Sequence, residues 1–145
     1  MDVIDGLKDK DDNKAHALLK EMLIECSKSD FYYGHFNDFL EMLNDRKSYV
    51  RVRAFSLICA LSRWDRNKLI NQNIDNILNI LNDDKAFVVR KALEALKEVL
   101  LFKNELEAVV RKRVLEININ RFKDSMSPLI KKDINELLGE TIWEL

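Results

Sequence analysis

Sliding the sequence along itself until Phe36 meets Ile74 lays one stretch of the chain onto the next with like residue on like. Phe36, Phe39, Leu40, Met42 and Leu43 fall on Ile74, Ile77, Leu78, Ile80 and Leu81. The turn that follows matches at three of four positions, Asn44 on Asn82, Asp45 on Asp83 and Lys47 on Lys85. Tyr49, Val50, Ala54, Phe55 and Ile58 then fall on Phe87, Val88, Ala92, Leu93 and Leu96. Within each stretch apolar residues recur every three or four positions, which is the period of an α-helix. A two-helix unit with a period near 40 leaves one broad apolar face uncovered unless it stacks on a neighbour. The expected fold is therefore all-α: a short right-handed α-solenoid of about four antiparallel helix pairs.

Turn chemistry supports the same reading. The 145 residues include 3 glycines and 1 proline, too few for the turns of sandwiches, barrels or doubly wound sheets. Asn, Asp and Lys clusters instead mark the breaks, among them Asp11-Asp12-Asn13, Asn44-Asp45 and Asn82-Asp83-Asp84, where short polar side chains favour helix caps. Ser127-Pro128 reads as an N-cap followed by proline at the first helical position. The breaks predict seven or eight helices, paired as 2–8 with 13–28, 33–43 with 48–64, 74–81 with 86–102, and 105–117 with 128–143. Those pairs form one domain over 1–145, with repeat units of approximately 1–29, 31–65, 68–103 and 105–145.

The residues at these positions resemble the HEAT-repeat family. Leu43, Asp45, Val50, Arg51 and Ala54 follow its pattern of a leucine, a turn aspartate, then Val-Arg and a small residue on the second helix. Leu81, Asp83 or Asp84, Val89-Arg90 and Ala92 follow it again, with a one-residue ambiguity in register. The family's turn prolines are absent, and the match is good over about 36–102 and thin at both ends. The resemblance implies that Asp45, Arg51, Asp83 and Arg90 form a structural ladder between repeats. It also implies that the second helix of each pair lines a concave groove, centred here on Arg51, Ser56, Arg90, Glu94 and Lys97.

Catalytic chemistry finds little footing. Gly6, Gly34 and Gly139 are too scattered to build a phosphate-cradling loop. His16 and His35 have no partner at ligand spacing, so no metal, cofactor or catalytic set is expected. His35 stands in the aromatic run 31–36, read as packing against the preceding repeat. Trp64-Asp65-Arg66 carries a further resemblance, to DNA alkylation repeat glycosylases, which hold a damaged nucleotide with these residue types. Neighbouring residues on a helix point in different directions, so the favoured reading is a tryptophan sealing the core and Asp65 capping the next helix.

Charge is segregated along the chain. Residues 1–45 hold 5 Lys+Arg against 11 Asp+Glu, residues 46–113 hold 15 against 8, and residues 114–145 hold 4 against 6, within an overall net charge of -1. The basic middle predicts a protein or peptide partner of acidic character. Nucleic-acid binding is the alternative, and a structural subunit that self-associates through open ends is a third reading. The first ten residues carry five charges, and the longest apolar run is residues 57–61. No secretory or membrane-spanning segment is therefore expected, and the expected location is cytoplasmic. Cys26 and Cys59 read as reduced core thiols.

Overall fold

Two turns at equivalent places in successive units set the register of the molecule. In a computed structural model that describes residues 2–139, the Asp45 carboxylate accepts the Lys47 amide at 2.8 Å, and the Asp83 carboxylate accepts the Lys85 amide at 3.0 Å. Each aspartate closes a tight turn with its own backbone and launches a long helix, α4 (Ser48–Ala60) after the first and α7 (Ala86–Phe102) after the second. Aspartates also start the first two helices. Asp2 caps α1 (Val3–Leu7), and Asp11 caps α2 (Asp12–Cys26) by accepting the Asn13 and Lys14 amides.

Shorter helices alternate with these long ones: α3 (Phe36–Met42), α5 (Leu69–Gln72), α6 (Ile74–Leu78) and α8 (Glu107–Leu115), with α9 (Ser127–Leu138) last. Single 3-10 turns extend or introduce several of them, as at Leu61–Trp64 and Asn79–Asn82. No strand occurs among the described residues. α4 packs against α2, α3 and α7, and α7 packs in turn against α9. Because α4 has neighbours on three sides, it is buried on nearly every face, through Val50, Arg53, Ala54, Phe55, Leu57, Ile58 and Cys59.

One continuous apolar cluster runs from Leu7 to Leu137. Phe36, Phe39 and Phe55 are among its largest fully buried side chains, each contributing roughly 2–3 kcal/mol of transfer free energy. Ala54 and Ala92, which share one place in the repeat, are both sealed within it.

Three details depart from the sequence reading. α5 is an additional helix. Ser127 is no N-cap: its hydroxyl donates backwards to the carbonyls of Ile119, Phe122 and Lys123, and Met126 holds the cap position without a side-chain bond. The final helix was expected to reach residue 143, but Gly139 ends it at Leu138 by adopting φ 68, a left-handed conformation that glycine takes without strain. The rest of that expectation lies outside the described residues.

Candidate protein-binding groove

The long helices α2, α4 and α7 run in the same direction. At their N-terminal ends Arg53 reaches Asp12 at 2.8 Å, and the Tyr49 and Phe87 rings lie 5.0 Å apart. Near their C-terminal ends the Trp64 indole donates to the Cys26 carbonyl at 2.6 Å, and Arg63 approaches Glu98 at 3.7 Å. Between them opens a groove of about 900 Å³.

Each helix offers the groove side chains spaced four, three and four residues apart: Asp12, His16, Leu19 and Leu23 from α2, Tyr49, Arg53, Ser56 and Ala60 from α4, and Phe87, Lys91, Glu94 and Glu98 from α7, which adds Lys97 and Leu101. Tyr49 is 54% exposed and Leu101 67%, which leaves substantial apolar area in water at both ends.

Of the residues the sequence placed in the groove, Ser56, Glu94 and Lys97 line it, whereas Arg51 and Arg90 do not. Lys97 donates to Glu94 at 2.8 Å, and this hydrogen bond holds its ammonium above the usual lysine range. Arg51 turns instead into the joint with the following turn. Its Nε and Nη2 donate to one Asp83 oxygen at 3.1 and 2.8 Å, and its Nη1 donates to the carbonyls of Asp45 and Arg46. Asp45 thus meets Arg51 through its backbone, not its carboxylate. Arg90 donates to Asp133 of α9 at 2.7 and 3.3 Å. The repeat equivalent of Arg51 is Val89. Standing one position later turns Arg90 by about 100° around the helix, away from the turn and towards α9.

Trp64, Asp65 and Arg66 diverge, and none of them lines the groove. The Trp64 ring closes the joint with α2, and Arg66 pairs at the surface with Asp30 at 2.8 Å over the Tyr33 ring. The Asp65 side chain has 0% exposure. It accepts the Tyr33 hydroxyl at 2.5 Å, the Leu69 and Ile70 amides at 2.9 Å each, and lies 3.0 Å from the Lys103 ammonium. Burial pushes this carboxyl upward, but Tyr33, the two amides and Lys103 together outweigh burial and hold it below the usual aspartate value. The expected capping role belongs to α5. Tyr33 and Lys103, the residues that complete this buried cluster, went unnoticed in the sequence.

His35 faces Asp38 at the surface, 3.1 Å away. Among the described residues no group of three or more His, Cys, Asp or Glu side chains is placed to hold a metal ion, and no helix is long and apolar enough to cross a membrane.

A family model described as proteasome non-ATPase 26S subunit matches residues 1–131. The chain belongs to that family. The family is of helical-repeat type, in keeping with the internal repeat of this sequence. No curated protein and no solved structure matches.

In this member of the proteasome non-ATPase subunit family, several of the segregated charges are matched with one another. Arg53 and Arg66 of the basic middle pair with Asp12 and Asp30 of the acidic first third. Arg90 pairs with Asp133 of the last segment, and Lys103 with Asp65 inside the middle. Part of the imbalance along the sequence is therefore complementarity between successive helix pairs. Arg53 is the most committed groove cation: its side chain is 6% exposed and also donates to the Leu7 carbonyl at 2.9 Å.

Proposed function

We propose that this chain is a non-enzymatic protein-interaction module that takes a segment of a protein partner into the groove between α2, α4 and α7. The observation that carries the reading is the lining of that groove, to which three helices each contribute side chains at helical spacing and which leaves Tyr49 and Leu101 in water. Apolar side chains arrayed along a groove suit an amphipathic helix or an extended peptide.

The architecture we propose is the HEAT-like right-handed solenoid of about four pairs, in a single domain over 1–145. Its support comes from the reach of the side-chain hydrogen bonds described here. Those between distant residues span from 32 residues, Tyr33 to Asp65, to 46 residues, Arg53 to Leu7. Most of them join one helix pair to the next, as stacked repeats require, while Tyr33–Asp65 and Asn71–Lys103 tie the two ends of one unit together. The membership in a proteasome subunit family favours a protein partner and a cytoplasmic setting.

Affinity capture from native lysate, run in parallel with the natural chain and with a Tyr49→Asp, Leu101→Asp double variant, tests this function. Both side chains are mostly exposed, so thermal melting stays unchanged while the captured protein is lost. Undiminished capture by the variant would exclude the groove.

A further inference from the structure

The aromatic run 31–36 divides between the core and the surface. Tyr33 and Phe36 are buried, whereas Phe31 is 71% exposed and Tyr32 and His35 are half-buried. The three outer rings adjoin one another. Phe31 stands edge-on to Tyr32 at 5.0 Å, and Tyr32 lies 6.4 Å from His35, which in turn lies 6.2 Å from the buried Phe39 ring. Contiguous exposed rings of this kind mark a contact surface rather than a stray apolar residue.

Carboxylates surround these rings. Burial pushes the Tyr32 hydroxyl above its usual value, and so do Glu25, Cys26 and Glu21, which places both glutamates of α2 within electrostatic reach of it. Asp38 bonds to the His35 ring at 3.1 Å, and Glu25 accepts the Ser29 hydroxyl. Residues 21–41 hold five Asp and Glu against one Lys. The arginines that the next helix pair brings up do not redress this. Arg66 is taken by Asp30, and Arg63 by the Ser27 carbonyl, the Phe102 ring and Glu98. With Asp30 set aside, four carboxylates remain to one lysine, so negative charge is in surplus around the open rings. None of these outer residues lines the groove.

We propose that Phe31, Tyr32 and His35 form a second contact surface that receives a cationic side chain, arginine above all, from a basic segment of a protein partner. A planar guanidinium stacks on an exposed ring and at the same time offers N–H donors to carboxylates beside it. The same carboxylates repel an anionic partner such as nucleic acid. This rests on the reading of the chain as a protein-interaction module and adds a contact point outside the groove.

Random short peptides displayed on phage and selected on the full natural chain test the inference. Among the selected sequences, a family carrying arginine or lysine is expected. A fluorescein-labelled member should bind with an affinity that falls as salt rises. Phe31→Ala should weaken it about fivefold, and Glu21→Lys about fivefold at low salt and less at high salt. The Tyr49→Asp, Leu101→Asp double variant should bind it as the natural chain does, and every variant should melt at the natural temperature. Replacing the peptide's arginine by neutral, isosteric citrulline should cost as much as Phe31→Ala. Peptides that keep their affinity with citrulline but lose it with Phe31→Ala would overturn the cation, and with it the proposal. Selected peptides all indifferent to Phe31→Ala yet lost with the double variant would overturn this surface while leaving the groove as a protein site. No selection at all would overturn both readings. Displacement of the peptide by a single-stranded oligonucleotide at lower concentration than an unlabelled copy of the peptide would overturn the basic partner.

Discussion

Replacing Lys103 with methionine removes a cation that is nearly sealed from water, while leaving its carboxylate partner in place. The Lys103 side chain is 6% exposed and lies 3.0 Å from Asp65, with a second bond to Asn71 at 2.7 Å. Breaking a buried pair from one side costs roughly 3–5 kcal/mol. Asp65 keeps the Tyr33 hydroxyl and two amides, which places the loss at the lower end, about 3 kcal/mol. For a chain of this size that lowers Tm by roughly 10 °C. Urea titration of the natural chain, Lys103→Met, Asp65→Asn and the double variant yields the coupling, expected at about 1–2 kcal/mol because the double variant leaves no uncompensated charge. The sign of the pH dependence follows from Asp65. Its folded value lies below the unfolded one, so its contribution is fully present above the unfolded value of about 3.9 and is lost as pH falls through the folded one. The gap between the natural chain and Lys103→Met therefore narrows as pH is lowered from 7 into the carboxyl range. A gap independent of pH, or costs that add to within about 0.5 kcal/mol, would refute the buried ion pair as the source of the effect.

The two turn aspartates are expected to differ although their sequences match. Asp83→Ala removes both the Lys85 amide bond and the acceptor of Arg51, costing about 2 kcal/mol in denaturant titration, whereas Asp45→Ala removes the Lys47 bond alone and costs about 1 kcal/mol. Equal losses would argue that the Arg51 pair adds nothing. Burial, followed by the neighbouring Glu25 charge, pushes the Cys26 thiol to about 11, and burial with Glu98 pushes Cys59 well above its usual value. At pH 8 only about one Cys26 in a thousand is thiolate, so both thiols should resist an aromatic disulfide reagent until urea unfolds the chain. A rapid native-state reaction would contradict their burial.

Helix content and register were legible because the repeat is written in apolar residues, whose burial depends on position more than on partner. Phe55 and Leu93 share a place in the core, and either residue fills it. The joints were harder to read, since a pair of complementary groups can be exchanged between repeats. Asp65 and Lys103 hold the same place in successive units, an acid in one where the next carries a base. Their opposite signs hide the equivalence from a search for like on like, although a search for charge reversal at the repeat shift would have found it. Arg90 shows the other limit, because a slip of one position in the alignment redirects a side chain from a turn to a different helix. The groove was legible in Ser56, Glu94 and Lys97, but its α2 wall was not, because His16, Leu19 and Leu23 join Arg53 and Lys91 only across three helices.

The span of the side-chain bonds governs how damage spreads. Since each joint is secured only by its immediate neighbours, a nick in the segment 122–126 frees Ser127–Leu138 with loss of the Arg90–Asp133 bond, the Ser127 hydroxyl bonds and the face of α7 beneath α9. Nothing in the first two helix pairs registers that loss directly. Amide exchange should accordingly be graded along the chain, fastest at the ends and slowest at α4 and α7, each of which has a long helix on both sides. The groove straddles this slow centre, so it survives fraying at the tail and closes to a partner only when α2 or α7 lets go of α4.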